Sequence, residues 1–132
     1  MKEEFKRLIR EAEKARKRAY SPYSKFPVGA AVLCGDGKIF TGCNIENASF
    51  GLSLCAERTA IFKAISEGST KFEAIAIIGD TVKPCSPCGS CRQVISEFSE
   101  DVYLIMANLR GEVKVKKINE LLPEAFSKND LL

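Results

Sequence analysis

The sequence predicts an α/β domain: a three-layer α-β-α sandwich around a mixed sheet of about five strands. Three observations carry this. Residues 72–79 and 102–106 are nearly continuous apolar runs, as in strands covered on both faces. Segments of helical apolar period separate the strand candidates, which implies crossovers between parallel pairs. Asp36-Gly37, flanked by apolar stretches, is a strong hairpin signal and implies one antiparallel pair. The 132 residues suit one domain spanning 1–132. A chain of that size buries about two-thirds of the surface its unfolded form exposes.

The elements follow in order. Phe5, Leu8, Ile9, Ala12, Ala15 and Ala19 recur at helical spacing among charged residues. They predict an amphipathic helix that ends before Pro22, where Ser21-Pro22-Tyr23-Ser24 reads as a turn. Residues 28–33 and 39–45 are the two hairpin strands. A polar loop with Asn47, Ser49 and Gly51 leads to Cys55, and Ala60, Ile61, Ala64 and Ile65 mark one face of a second helix stopped by Gly68. After the strand at 72–79, residues 80–87 are loop, and 88–98 fit a third helix with Val94, Ile95 and Phe98 inward. The strand at 102–106 follows. Residues 108–111 form a turn, 112–116 alternate like an edge strand, and 118–126 are a short helix interrupted by Pro123.

No apolar run approaches the ~20 residues of a membrane helix, so no membrane partner is expected. The first eighteen residues lack an apolar core of the secretory kind, and their four glutamates are foreign to a mitochondrial leader. A cytoplasmic location is expected. The same stretch holds eight Lys or Arg against four Glu, a net +4 where the whole chain is +3. It reads as a solvated helix face, and no nucleic-acid partner is expected. In a reducing compartment, six cysteines point to metal binding or catalysis rather than disulfides.

Two short runs carry the chemistry: Cys55-Ala56-Glu57-Arg58 and Pro87-Cys88-Gly89-Ser90-Cys91-Arg92. The chain has no histidine, so a transition-metal site must be built mostly from sulfur. Each run opens a helix, where free N–H groups and the dipole favour thiolate over thiol. Cys88 and Cys91 are three apart, neighbours on one turn. Three sulfurs from Cys55, Cys88 and Cys91 would hold one Zn²⁺ and leave an open fourth position, the mark of a catalytic site. Glu57 is then the candidate general base. Zinc with three thiolates has a net negative formal charge. Either Arg58 or Arg92 could donate hydrogen bonds to sulfur and offset it; the alternative for both is surface solvation, and Arg58 is the residue carried forward. Cys34 and Cys43 read as small core residues. Cys85 extends a Cys-x2-Cys-x2-Cys run like part of an iron–sulfur motif, but the next thiol of that motif is missing.

These residues resemble the homotetrameric cytidine deaminases of pyrimidine salvage, whose zinc chemistry uses a Cys₃ set, a non-ligand glutamate and Pro-Cys-x-x-Cys. The resemblance covers nearly the whole chain, including residues 21–31, 42–49, 55–60, 87–94 and 121–126. It implies a cytidine deaminase-like fold and hydrolytic deamination of cytidine and deoxycytidine to uridine and deoxyuridine plus ammonia. It implies one zinc per subunit on Cys55, Cys88 and Cys91, with Glu57 as proton shuttle. The Ala56 backbone N–H would hold the pyrimidine carbonyl, Asn44 and Glu46 the ribose hydroxyls, and Phe26 would pack on the ring. Phe126 would reach into a neighbouring subunit's site in a homotetramer. Relatives acting on nucleic acid or deoxycytidylate usually have His where Cys55 stands, so the chain points to the free nucleoside. It departs from the pattern at Phe50, where many members have Tyr.

Read without the resemblance, Asn44 and Glu46 share a face only if the second strand continues that far, and Phe26 and Phe126 would be core residues. Two rival readings remain open at this level. One is a deaminase of a nucleoside analogue such as blasticidin S. The other is a non-enzymatic zinc module that binds RNA through the basic first helix and needs a fourth protein ligand, for which Cys85 is the nearby thiol.

Overall fold

The computed structural model describes all residues, Met1–Leu132. Five strands form one sheet: β1 (Val28–Cys34), β2 (Ile39–Cys43), β3 (Phe72–Gly79), β4 (Tyr103–Asn108) and β5 (Val113–Lys117), in the order β2-β1-β3-β4-β5. Helix α1 (Glu3–Arg16) precedes the sheet; α2 (Ala56–Ser66) lies between β2 and β3, α3 (Gly89–Phe98) between β3 and β4, and α4 (Ile118–Leu121) follows β5.

The alternation of each strand divides the core in two. Ala31 and Leu33 of β1, with Ala74, Ala76 and Ile78 of β3, take Phe5, Leu8 and Ala12 of α1 on one face. Ala30 and Val32, with Ile75, Ile77 and Leu104, take Ala56, Ala60, Ile61 and Ala64 of α2 and Ile95 of α3 on the other. The three expected layers are therefore present. Leu8 is fully buried, and a leucine side chain so placed contributes about 1.5–3 kcal/mol. Gly37 closes the β1–β2 hairpin at φ 88°, a left-handed conformation that glycine adopts without a Cβ clash.

The sheet differs from expectation in its pairings. The crossover through α2 does connect parallel strands, but β1 is inserted between them, so β3 pairs antiparallel with β1. Only β3 and β4 are adjacent and parallel, while β1–β2 and β4–β5 are antiparallel. Apolar runs report burial on both faces and say nothing of which neighbour supplies the ladder. Helix α1 ends at Arg16 rather than carrying on to Ala19, and Tyr20 instead bridges to Ile45. The C-terminal helix stops at Leu121, short of the expected 126. Pro123 disfavours helical conformation at the residue before it, and residues 123–126 are irregular.

Candidate active site

The carboxyl end of β3, the start of α2 and the start of α3 converge on one side of the sheet. Cys55 and Cys88 occupy the N-cap positions of α2 and α3, with φ/ψ of −73°/155° and −68°/169°, and neither side chain caps its helix. Both thiols are thus free to face each other. Cys91, in the first turn of α3, is fully buried. The sulfurs of Cys55, Cys88 and Cys91 lie within 4.8 Å of one another, and the Cys55 and Cys88 Sγ atoms are 4.0 Å apart. Tetrahedral zinc with bonds of about 2.3 Å places two sulfurs roughly 3.8 Å apart. The three thiols therefore fit a single zinc ion by both donor type and spacing. No fourth metal-binding side chain joins the group, so the fourth ligand that the RNA-binding rival needs is not among them.

The electrostatics favour thiolate at this point. Cys55 is pulled down to about 5, first by the Cys91 thiol and then by Arg58. Cys91 is pushed up, chiefly because it shares that hydrogen bond with Cys55, and then by burial. Arg58 Nη2 donates to Cys55 Sγ at 3.3 Å, and the buried Arg58 Nε has no hydrogen-bond partner. The candidate role of Arg92 is not met. Its Nε donates to Pro87 O at 3.0 Å, Nη1 to Leu121 O at 2.8 Å and Nη2 to Ser86 Oγ at 2.8 Å, so no N–H reaches sulfur. Arg92 lies in the first turn of α3, where Ser86 and Pro87 just before the helix and the end of α4 take the guanidinium.

Glu57 is 4% exposed, the only buried carboxylate of the chain. Burial holds its carboxyl above the usual range, its own backbone N–H draws it down, and the Cys55 charge raises it again. A cavity of about 310 Å³ opens beside it, at the lower end of the range for small-molecule sites. Phe26, Asn44, Glu46, Cys55, Ala56, Glu57 and Cys88 all line it. Seven of the proposed site residues thus meet in one place although they span more than sixty positions of sequence.

Strand β2 ends at Cys43, before Asn44, but Ile45 bridges to Tyr20 and Leu54 in extended form. Asn44 and Glu46 therefore still share a side. Asn44 Oδ1 accepts from Val28 N at 2.8 Å, and its Nδ2 donates to Phe26 O at 2.9 Å. Glu46 accepts from the N–H groups of Tyr23 and Ser24 at 3.0 and 3.1 Å and from the Ser24 hydroxyl. That hydroxyl holds the Glu46 carboxyl below the usual range. The pair pins the 21–28 loop and so presents Phe26. Ala56 is the first residue of α2 and fully buried at the cavity wall; an N–H at that position has no partner within its own helix.

Four placements were not legible in spacing. Cys85 lines the cavity, buried, with its thiol pushed up to about 11 by burial and then by the Glu57 charge. Ser24 was unmarked except as a turn residue. Phe126 is 60% exposed and absent from this chain's cavity. Phe50 is 74% exposed and meets Tyr23 edge-on, with ring centroids 6.0 Å apart.

Comparisons with known proteins agree with this geometry. Residues 2–106 match the profile of the cytidine and deoxycytidylate deaminase zinc-binding region. A cytidine deaminase from Sporosarcina psychrophila is 55% identical over 97% of this chain and 95% of its own. One from Halalkalibacterium halodurans is 52% identical over 94% and 95%. The crystal structure of a cytidine deaminase from Burkholderia pseudomallei superposes with a TM-score of 0.90 at 48% identity, covering 96% of this chain and all of that one. The sulfur cluster, the buried glutamate beside a nucleoside-sized cavity and these relatives agree: the chain belongs to the cytidine and deoxycytidylate deaminase zinc-binding family.

Proposed function

We propose that this protein is a zinc-dependent cytidine deaminase that converts cytidine and deoxycytidine, with water, to uridine and deoxyuridine plus ammonia. The observation that carries the reading is the juxtaposition of a three-thiol cluster with a buried carboxyl at the end of one cavity. Cys55, Cys88 and Cys91 would hold the metal. When bound there, zinc supplies Lewis acidity that activates a water for attack at C4 of the pyrimidine.

The remaining work falls to the chain. Glu57, raised by burial, takes one proton from the attacking water and delivers it to ring N3; it then takes the second proton from the new C4 hydroxyl and passes it to the 4-amino group, which leaves as ammonia as C4 becomes a carbonyl. A carboxyl held above its ordinary range is suited to both halves of that transfer. The Ala56 N–H donates to the 2-carbonyl. Asn44 and Glu46 receive the ribose hydroxyls from the loop side, and Phe26 covers the ring and excludes water. Arg58 offsets the thiolate charge through Cys55.

The same reading places the protein in a homotetramer with sites completed across subunits. The exposed side chains of Phe50, Leu52, Phe62 and Phe126 support it, since association would remove apolar surface of this kind from water. Phe126 would then enter a neighbour's cavity. All six cysteines are free, which suits a reducing cytoplasm, and no helix is long and apolar enough to cross a membrane.

The test is loss of the cytidine ultraviolet absorbance with pure protein, with and without a chelator, for wild type and Glu57→Gln. Wild-type turnover should vanish with the metal. The variant should keep its zinc and lose at least the roughly 10²–10⁴-fold of a general acid–base group. Near-normal turnover in Glu57→Gln would overturn the assignment.

A further inference from the structure

Arg92 and Gln93 follow the ligand Cys91 directly, yet their side chains serve a different part of the chain. The Arg92 guanidinium uses all three nitrogens. Two hold Pro87 O and Ser86 Oγ, immediately before Cys88, and the third holds Leu121 O at the end of α4. Gln93 Nε2 donates to Phe126 O at 2.8 Å. The segment they reach has little bonding of its own. Between Pro123 and Phe126 no backbone N–H donates to another backbone group, and Glu124 sits at φ 53°, a conformation uncommon for a residue with a side chain. Its position therefore rests on the first turn of α3.

We infer that Arg92 and Gln93 are positioning residues that couple the thiol cluster to the C-terminal segment, so that metal binding orders residues 121–126 and fixes Phe126. The inference rests on the zinc reading above. A metal that immobilises Cys88 and Cys91 also immobilises Ser86, Pro87 and the start of α3. The planar fork of Arg92 then has a fixed base from which to hold Leu121, and Gln93 a fixed base from which to hold Phe126. Thermodynamic reciprocity makes the coupling work both ways: a segment held in place also favours the ligand loop that holds metal.

Hydrogen–deuterium exchange of the full-length protein, zinc-loaded and chelator-stripped, tests this without any turnover. In wild type, stripping should speed exchange at the hydrogen-bonded amides that flank the segment, Leu122 and Ser127, at least tenfold, roughly the weight of one hydrogen bond to a charged group, with α1 unaffected. Arg92→Gln should show the fast rate even with zinc and should release zinc to a chelator faster. Arg92→Lys keeps the charge without the fork and should not rescue either behaviour. Gln93→Ala should speed exchange at Ser127 but not at Leu122, and raise KM for cytidine by a larger factor than it lowers kcat. Equal exchange at Leu122 and Ser127 with and without zinc, equal acceleration in α1, or full rescue by lysine would each overturn the coupling. If cytidine is not turned over but the exchange pattern holds, only the substrate reading fails.

Discussion

Gly42→Ala should damage the site from a distance, and the size of the effect follows from the packing. Gly42 lies on β2 where that strand crosses the start of α2. A Cβ built there would stand 2.5 Å from Ala60 N, 2.7 Å from Ala56 O and 2.9 Å from Thr59 Cβ. Unstrained contacts to carbon need about 3.5 Å, so strand and helix must separate by about 1 Å. Two of the three obstacles are helix backbone and cannot swing aside. The displaced pieces are the ones that matter: α2 carries Ala56 and Glu57 and begins at Cys55, while β2 leads directly into Asn44. Overpacking of this kind costs about 1–3 kcal/mol, and each kcal/mol lowers Tm by roughly 3–5 °C for a chain of this size. A misplacement of about 1 Å at a reacting centre costs on the order of 10²-fold in rate. The assays are thermal melting, zinc content and kcat/KM from cytidine absorbance. Gly51→Ala, where the new Cβ meets nothing within 4 Å, is the control. If Gly42→Ala matched wild type within twofold in kcat/KM with its Tm intact, the close approach of β2 to α2 would not be what sets the site.

Cys55→Ala should lose bound zinc, because only two sulfurs of the cluster would remain; full metal content by elemental analysis would remove Cys55 from the ligand set. Cys85 should behave as a neutral cavity-wall thiol. With its thiol pushed up to about 11, the reactive thiolate is scarce at neutral pH and grows as pH rises. Its alkylation by iodoacetamide in the zinc-loaded protein, mapped by mass spectrometry, should therefore accelerate about tenfold per unit between about pH 7.5 and 9.5. Cys85→Ser should retain all its zinc, and either a flat alkylation profile or metal loss would mean that Cys85 is a ligand.

The cluster was readable in the sequence because its geometry is local. Two thiols three apart at a helix start must be neighbours, and a glutamate two residues after a third thiol sits in the same first turn. The layers were readable for a similar reason, since helical and strand periods report which side of each element is buried. What spacing could not give was set by partners far away in sequence. The insertion of β1 between β2 and β3 depends on which ladder forms, and the alternation of β1 is compatible with either neighbour. Asn44 and Glu46 looked like ribose ligands or loop residues. They also hold the 21–28 loop through backbone groups that no residue pattern marks. Arg92 was a candidate for contact with sulfur only because it follows a thiol in sequence, but a side chain one residue past Cys91 leaves the helix in a different direction from one three residues past Cys55.

That difference bears on how a three-thiolate centre can activate water near neutral pH. Three thiolates exceed the charge of Zn²⁺ by one, and a metal centre with net negative charge is a poorer Lewis acid. Two compensations converge here. The N-termini of α2 and α3 both open at the cluster, each worth up to about half a positive charge. Arg58 adds a full charge through its bond to Cys55 Sγ, and its buried Nε has no hydrogen-bond partner. The identity of residue 55 and that of residue 58 are then linked. A neutral imidazole at 55 would lower the thiolate count, leave Nη2 of Arg58 without its sulfur and place an uncompensated cation beside the metal. Cysteine at 55 and arginine at 58 form one electrostatic unit, and changing either alone should cost more than changing both.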